Sequence, residues 1–142
     1  MQHQKCLVVG GHGFIGRHLV KSLCSLGADV SEISPQNQTV IESCQYTFHQ
    51  ADIERKESLF FLKDHSFDHI YNLGGYIDHA PFFGQGRSVI ENHYIGLLNL
   101  LECIDRSHLK SFIQIGSSDE YGGLTAPQIE TMREAPISPY SL

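Results

Sequence analysis

Apolar positions along this chain follow two patterns, short β-branched runs and longer stretches with helical spacing. The first run, residues 6–9, is followed at once by several glycines and then by apolar residues spaced three to four apart. Short runs bounded by turn residues predict buried strands, and the wider spacing predicts amphipathic helices. The start of the chain therefore predicts a strand, a tight turn and a helix, in that order.

The same alternation continues along the chain. Further strands are predicted at residues 30–33, 46–49, 68–73 and 112–115, further helices at 54–65 and 87–108, and loops at 35–39 and 76–86. The first helix is expected to end at Gly27. Its buried stripe is expected to consist of Phe14, Ile15, Leu19, Leu23 and Leu26. Strands that alternate with helices favour an α/β fold, a doubly wound parallel sheet of the Rossmann type with ligands at the carboxyl ends of its strands.

Composition and charge narrow the class of protein. Of the 142 residues, 41% are hydrophobic and 18% are charged, and the formal net charge is −6 with histidine neutral. A negative charge argues against nucleic acid as a partner. The polar first residues lead straight into the first strand, so no signal peptide is expected, and no apolar stretch reaches the ~18 residues of a membrane span. We expect one soluble, cytoplasmic domain that does not bind a membrane.

The cysteines and the paired histidines give no metal signal. The four cysteines, at positions 6, 24, 44 and 103, lack the spacing of metal ligands. Two of them fall in apolar strand or helix patterns, and all four are predicted to be reduced, buried thiols of a cytosolic protein. His65 and His69 stand four residues apart but straddle a predicted helix-to-strand junction, and no third ligand is evident. No metal site is predicted.

The turn after the first strand carries the strongest chemical signal, V-G-G-H-G-F-I-G at residues 9–16. Gly10 lets the chain leave the strand sharply, Gly13 removes a side chain where a pyrophosphate must approach, and Gly16 lets helix and strand pack closely. The N–H groups at the helix start would then face the phosphates. The pattern therefore predicts a dinucleotide-binding turn.

Six segments, in order, resemble one known family. They are the turn at 9–16, A-D-I (51–53), N-L-G-G (72–75), E-N-H-Y-I-G-L-L-N-L-L-E (91–102), F-I-Q-I-G-S-S-D-E-Y-G (112–122) and P-I-S-P-Y (136–140). Together they make nearly the whole chain resemble the N-terminal part of an extended short-chain dehydrogenase/reductase, the family of nucleotide-sugar epimerases, dehydratases and reductases. The resemblance implies a nucleotide-sugar substrate, transient hydride transfer at the sugar C4, and a homodimer when the protein is intact. Residues 1–142 would then be an incomplete Rossmann domain without its C-terminal substrate domain.

The resemblance also assigns the cofactor contacts. The implied residues are Gly10, Gly13, Phe14, Ile15, Gly16, Ser34, Asp52, Ile53, Leu73, Gly74 and Gly75. Asp52 would accept a hydrogen bond from the adenine amine, although an N-cap for the next helix is an alternative role. The match at 72–75 is loose, because Asn72 replaces a histidine of the family and two glycines replace alanines.

Cofactor choice depends on the end of the second strand, where NAD-users of this family carry an aspartate for the ribose hydroxyls. This chain has Ser34 there, and residues 35–39 contain no Arg or Lys to hold a 2′-phosphate. Strand alternation is expected to point the nearby Glu32 elsewhere. Arg17 is a candidate for a 2′-phosphate, with a surface helix position as the alternative. NAD is therefore predicted, with NADP as the second choice.

The catalytic roles come from the last two segments and the long helix. Ser117, four residues before Tyr121, would hydrogen-bond the substrate oxygen, and Tyr140 would take the sugar hydroxyl proton. Asn92 is poorly suited to mid-helix unless its side chain has a partner, and the resemblance gives it a place in the active-site network. The family acidifies its tyrosine with a lysine four residues on, which here would be position 144, after Leu142. A fragment without turnover is therefore expected.

Asp119 leaves the reaction open. An ungapped match makes Asp119 the acid of a dehydratase, which expels water from a 4-keto sugar, whereas a one-residue slip pairs Ser118 with Asp119 and Glu120. Loop solvation and N–H capping are an equal alternative for these carboxylates. The predicted function is 4-epimerisation or 4,6-dehydration of a nucleotide sugar. A 4-keto reductase is one alternative, and a non-catalytic cofactor-binding sensor or structural module is another.

Overall fold

A computed structural model describes residues 1–37, 41 and 44–142 of the chain. Its centre is a five-stranded parallel sheet in the order β3-β2-β1-β4-β5. The strands are β1 (Lys5–Val9), β2 (Asp29–Ser34), β3 (Thr47–Gln50), β4 (His69–Asn72) and β5 (Ser111–Gln114). The predicted strands are confirmed, whereas residues 38 and 39 of the predicted loop 35–39 lie outside the described residues.

Both faces of the sheet are covered, which explains the continuous apolar run of β1. Leu7 and Val9 join the core on one face, and Cys6 and Val8 join the core on the other, because successive side chains of a strand point to opposite faces. Parallel sheets need this cover on both sides. The first core also contains buried residues from β2, β4 and two helices, among them Ile33, Leu59, Leu62, Ile70 and Leu100. The doubly wound Rossmann-type fold is confirmed.

The described residues form three long helices, two of which depart from their predicted bounds. They are α1 (Phe14–Ser25), a 3-10 helix (Lys56–Asp64), and a long helix made of α2 (Gly86–Ile90), a π turn (Glu91–Ile95) and α3 (Gly96–Cys103). The prediction that the long helix reaches residue 108 is wrong, since Ile104 is already extended, with ψ 142°. The Ser107 N–H donates to Asp105 Oδ1 at 2.9 Å, a local turn that competes with the helix. Within the described ranges, no helix is long and apolar enough to cross a membrane.

The buried stripe predicted for α1 is partly wrong. Phe14, Ile15 and Leu26 are 76%, 56% and 57% exposed, and the buried residues of α1 are Gly16, Val20 and Leu23. Phe14 and Ile15 lie in the first turn of the helix, where the chain has only just left the edge of the sheet. Leu26 follows the last turn, and Gly27 then adopts φ +78°, so the helix ends where it was predicted to end.

Two of the four cysteines are paired, so the prediction of four reduced thiols is wrong. Cys24 and Cys44 form a disulfide across a sequence separation of 20 residues. Both pack against the core between α1 and the sheet, and it is this packing that brings the two sulfurs together. Cys6 and Cys103 are free and buried, as expected.

Candidate functional site

The carboxyl ends of β1, β2 and β4 bring three predicted cofactor segments to one edge of the sheet. The Gly10 N–H donates to the Ile33 carbonyl oxygen at 2.8 Å, and the Leu73 N–H donates to the Val9 carbonyl oxygen at 3.0 Å. The glycine turn is thus tied to β2 on one side and to the segment after β4 on the other. In open parallel sheets, ligands bind in the crevice at this edge.

The turn needs glycine at two positions for its own geometry. Gly10 has φ +79°, and a Cβ there would lie 3.0 Å from the Leu73 carbonyl oxygen. A Cβ at Gly16 would overlap the Gly10 carbonyl oxygen. Gly13 differs, since its φ is −64° and an added Cβ would meet only the Gly10 carbonyl oxygen, at 3.2 Å. The turn itself therefore tolerates a side chain at Gly13. Glycine at this position leaves space in front of the first N–H groups of α1.

The start of α1 fits the pyrophosphate of a dinucleotide. Among the described residues, no side chain caps the helix at Gly13, and its first turn contains no acidic residue. The first N–H groups of a helix lack partners inside the helix, and the helix dipole favours an anion there. The exposed side chains of Phe14 and Ile15 flank this position. Arg17 places its guanidinium 5.3 Å from the centre of the Phe14 ring.

Glu32 lies beneath the glycine turn, fully buried, with Oε1 2.9 Å from His12 Nδ1. The expectation that strand alternation points Glu32 elsewhere is wrong, because Glu32 lies two residues from Ser34 and so shares its face of β2. A Cβ at Gly11 would overlap the Glu32 side chain. Burial raises the pKa of Glu32, and the hydrogen bond to His12 lowers it by less. Within the described residues, Oε2 is buried without a hydrogen-bond partner.

Ser34 ends β2 at the position predicted for the ribose. Its Oγ donates to Gln36 Oε1 at 2.6 Å, and its carbonyl oxygen accepts from the Ala51 N–H at 3.1 Å. The side chain is 2% exposed. Ser34 thus joins β2 to the start of the next connection and to the residue before Asp52.

Asp52 and Ile53 follow β3 and have structural partners. Asp52 Oδ1 accepts from the Glu54 N–H at 3.0 Å, so this carboxylate stabilises the turn that leads into the 3-10 helix. The alternative role of Asp52 as the N-cap of this helix is wrong, because Arg55 occupies the N-cap position. Ile53 is 6% exposed, and Gly74 and Gly96 pack against it closely enough that a Cβ at either would lie 3.2 or 2.8 Å from Ile53 Cδ1.

The segment after β4 is held in place by Asn72. Its Oδ1 accepts from the Gly74 N–H at 3.2 Å, and its Nδ2 donates to Gln114 Oε1 at 2.7 Å. Asn72 is 1% exposed, so it is a buried amide with both ends bonded. Gly75 follows with φ +145°, a value that favours glycine. Residues 73–75 therefore present backbone next to the glycine turn.

Ser117 and Glu120 form a capping box. Ser117 Oγ accepts from the Asp119 N–H at 3.2 Å, and Glu120 Oε1 accepts from the Ser117 N–H at 2.9 Å. This reciprocal pair fixes the start of a 3-10 turn, Ser118–Tyr121. Capping therefore explains Glu120, whereas the Asp119 carboxylate points elsewhere, with Oδ2 3.3 Å from His79 Nδ1.

Tyr140 lies between two histidines. The ring centroids of His79 and His93 are 5.3 Å and 5.5 Å from that of Tyr140, and both are edge-on, with interplanar angles of 75° and 85°. The adjacent Pro139 is buried and packs against Gly86 of α2. His79 thus lies between Asp119 and Tyr140, and the structure brings these two predicted site residues to one place.

Asn92 and His93 point in different directions. Asn92 Nδ2 donates to Glu54 Oε1 at 2.7 Å, whereas His93 packs against Gly75, Tyr76 and Tyr140. Asn92 was predicted from the sequence as a site residue, whereas His93 was not. The one usable signal for His93 was the unusual number of histidines, nine in 142 residues, two of them in segments next to predicted site residues.

Comparisons with known proteins agree with this arrangement. A model of the NAD dependent epimerase/dehydratase family matches residues 6–142. The bifunctional UDP-glucose 4-epimerase and UDP-xylose 4-epimerase 1 of Pisum sativum is 28% identical over 152 residues, which cover 96% of this chain and 43% of that protein. Protein CapI of Staphylococcus aureus is 26% identical over 151 residues, which cover 96% of this chain and 45% of that protein.

Solved structures give the same result. A UDP-glucose 4-epimerase of Thermotoga maritima, solved with UDP-glucose, has a TM-score of 0.82 and 28% identity over 96% of this chain and 46% of that one. A variant of the UDP-glucuronic acid 4-epimerase of Bacillus cereus, solved with a fluorinated UDP-sugar and NAD, has a TM-score of 0.80 and 25% identity, with 96% and 48% covered. The chain thus spans less than half the length of these relatives. With its sheet order, its glycine turn and the match over residues 6–142, the chain belongs to the NAD-dependent epimerase/dehydratase family.

Proposed function

We propose that this chain is the cofactor-binding part of a nucleotide-sugar 4-epimerase that uses NAD. The observation that carries the proposal is the uncapped start of α1 beside the glycine turn, at the same edge of the sheet as the segment after β4. Relatives named as UDP-glucose 4-epimerases favour a UDP-sugar as substrate. Because the chain covers 43% of the pea relative's length, we further propose that the sugar-binding domain belongs to the rest of the whole protein.

The residues proposed to hold NAD lie at the edge of the sheet formed by the carboxyl ends of its strands. The N–H groups at the start of α1 bind the pyrophosphate, and the absence of a side chain at Gly13 lets it approach. Ser34 and Asp52 lie on the adenosine side, and the backbone of residues 73–75 lies on the other. Structural relatives described with bound NAD support NAD over NADP. Held by these residues, NAD would supply reversible hydride exchange with the sugar C4.

Ser117 and Tyr140 are the residues proposed to act on the sugar hydroxyl. Ser117 Oγ accepts a hydrogen bond from the Asp119 N–H, and this leaves its own proton free to donate to the substrate oxygen. Tyr140 takes the hydroxyl proton and returns it when the C4 centre is rebuilt. A free tyrosine titrates near ~10, so the whole protein has to acidify it, and the proposed lysine at position 144 would do so.

The test has a binding arm and a product arm. The chain is titrated with NAD and NADP by calorimetry, and we expect NAD to bind and NADP to bind more weakly. No binding of either dinucleotide would refute the proposal. The chain is then incubated with NAD and UDP-glucose, and we expect no UDP-galactose from these 142 residues. Appearance of the C4 epimer would overturn the proposed need for further chain.

A second candidate function, 4,6-dehydration, is favoured by one observation. The Asp119 carboxylate lies beside His79, which contacts Tyr140, and an acid in this place suits the loss of water from a 4-keto sugar. In the whole protein, a 4-keto-6-deoxy product would support dehydration, whereas a C4 epimer without net redox change would support epimerisation. Net reduction of a 4-keto sugar would support a reductase. Cofactor binding without any product would support a non-catalytic sensor.

The assembly and the compartment remain proposals. Exposed Tyr94, Ile95 and Leu98 form an apolar strip on the long helix, and we propose that a second copy covers it in a homodimer. Light scattering of the whole protein tests this, and a monomer would refute it. A cytoplasmic location stays a prediction, and two of the four cysteines on which it partly rested are now seen to be paired.

A further inference from the structure

The long helix carries a residue that joins the two halves of the candidate site. His93 lies in the π turn Glu91–Ile95. Its Nε2 is 2.9 Å from the Tyr76 carbonyl oxygen and 3.4 Å from the Tyr76 nitrogen. With the proton on Nε2, a tautomer assigned from this network, His93 donates to the carbonyl oxygen at the shorter distance.

The imidazole also occupies the space above Gly75. A Cβ at Gly75 would overlap His93 Cε1 and would lie 2.8 Å from Nδ1. The same ring therefore holds the backbone of residues 75 and 76 in two ways, by packing at Gly75 and by a hydrogen bond at Tyr76. These two residues directly follow Leu73 and Gly74, which contact the glycine turn.

The same ring also packs against the segment 136–142. The His93 and Tyr140 ring centroids are 5.5 Å apart at 85°, the edge-on arrangement that aromatic pairs prefer. Tyr140 lies on a short 3-10 turn, Pro139–Ser141, whose Pro139 packs on Gly86 of the same long helix. His93 thus contacts the cofactor-side backbone and the candidate base together.

We propose that His93, and not Asn92, is the residue of the long helix that positions the candidate site. Its imidazole nitrogen holds the backbone of residues 75–76, and its ring packs against the ring of Tyr140 and orients it. It is a positioning residue, since neither contact involves a reacting atom. Its consequence for cofactor affinity rests on the proposed function, whereas the two contacts themselves do not.

Two variants separate the two contacts. In His93→Gln the side-chain amide reaches about as far as Nε2, so the hydrogen bond to Tyr76 is kept and the ring is lost. In His93→Phe the ring is kept and the nitrogen is lost. Amide hydrogen exchange at Gly75 and Tyr76 reports the first contact, and the NMR chemical shifts of the ¹³C-labelled Tyr140 ring report the second.

We expect a crossed result. In H93F, exchange at residues 75–76 rises about fivefold, because the backbone held by the bond to the Tyr76 carbonyl oxygen opens more often, while the Tyr140 ring signals stay near their wild-type positions. In H93Q, exchange stays within about twofold, and the Tyr140 ring signals move. Equal effects of H93Q and H93F on both readouts, or no effect of either, would overturn the proposal.

Two controls test the choice of residue. Asn92→Ala removes the bond to Glu54 and should leave both readouts at wild-type values; a change in both would overturn the proposal. His79→Gln removes the other ring beside Tyr140 and should move the Tyr140 signals without changing exchange at residues 75–76. If the His93 variants do not fold, nuclear Overhauser contacts in the wild-type chain decide. Contacts from the His93 ring to Tyr140 and to Gly75 support the proposal, and their absence overturns it.

Cofactor affinity links the contacts to function. We expect the NAD dissociation constant to rise about fivefold in H93F and to change less than twofold in H93Q, because only H93F loosens residues 75–76. Equal NAD affinity in H93F and the wild type would overturn the link to the cofactor. If the wild-type chain binds no NAD, the proposed function fails, yet the exchange and NMR results still decide whether His93 holds both segments.

Discussion

Gly16→Ala should lower both the stability of the fold and its affinity for NAD. An added Cβ would overlap the Gly10 carbonyl oxygen and would lie 2.7 Å from Gly11 Cα and 2.9 Å from the Gly10 carbonyl carbon. All three are backbone atoms, so no side chain can swing away and the turn itself has to move. Overpacking of this kind costs about 1–3 kcal/mol. Alanine recovers up to ~1 kcal/mol through its helix propensity, so a net loss of about 1–2 kcal/mol is expected.

Two other glycines make matched controls. Gly13→Ala places its Cβ no closer than 3.2 Å to the Gly10 carbonyl oxygen, at a φ of −64° that alanine accepts. We expect its free energy of unfolding to stay within about 0.5 kcal/mol of the wild type, while the new methyl group obstructs the pyrophosphate. Gly123→Ala has no described atom within 4 Å of the added Cβ, so neither quantity should change.

Urea unfolding and calorimetric NAD titration measure the two quantities on the same preparations. G16A should lose stability and NAD affinity, G13A should lose only NAD affinity, and G123A should lose neither. Wild-type stability in G16A would refute the packing argument. Wild-type NAD affinity in G13A, with stability unchanged, would refute the assignment of this turn to the pyrophosphate even if G16A behaves as expected.

Three further changes test two ionisable groups and the disulfide. Burial raises the pKa of Glu32 in the folded protein, whereas Glu32 of the unfolded chain keeps its ordinary pKa of 4.5. As pH rises above about 4.5, the unfolded chain therefore loses this proton first, and the stability of the wild type falls. Glu32→Gln should gain on the wild type over that range in urea melts and keep a constant difference below it; parallel curves throughout would contradict this. Burial and the neighbouring His65 lower the pKa of His49, so stability is lost as pH falls below 6.5, where the unfolded chain takes up the proton first. His49→Gln should remove this loss between pH 7 and 5, and an unchanged slope would count against it. Reduction of the disulfide should cost about 3 kcal/mol for its 20-residue loop. The stability of a Cys24→Ser/Cys44→Ser variant should equal that of the reduced protein and should not change when reductant is added. A change in the stability of this variant on adding reductant would contradict the pairing.

The glycine turn and the strands could be predicted because their causes are local. Gly10 needs a positive φ. Gly16 must lack a side chain because an added Cβ would meet the backbone of Gly10 and Gly11, only a few residues earlier in the chain. The disulfide could not be predicted in this way. Cys24 and Cys44 meet only because α1 packs on the sheet, and a separation of 20 residues contains no trace of that packing. For the same reason the helical spacing of α1 assigned Phe14 and Ile15 to a buried stripe, although their turn extends past the edge of the sheet.

The direction of Asn92 and His93 depends on helical phase, which periodicity alone does not determine. Gly86 and Gly96 fix both ends of the intervening helix, because a Cβ at Gly86 would lie 2.6 Å from Pro139 and one at Gly96 would lie 2.8 Å from Ile53. The helix backbone is in close contact with its neighbours at both glycines, so any change in helical winding has to lie between them. The π turn Glu91–Ile95 lies in this interval. Within this turn, Asn92 bonds to Glu54 and His93 packs against Tyr140. The sequence could not predict these directions, because the contacts that hold the helix on either side of the turn become visible only when the sheet, the 3-10 helix and the segment 136–142 are assembled.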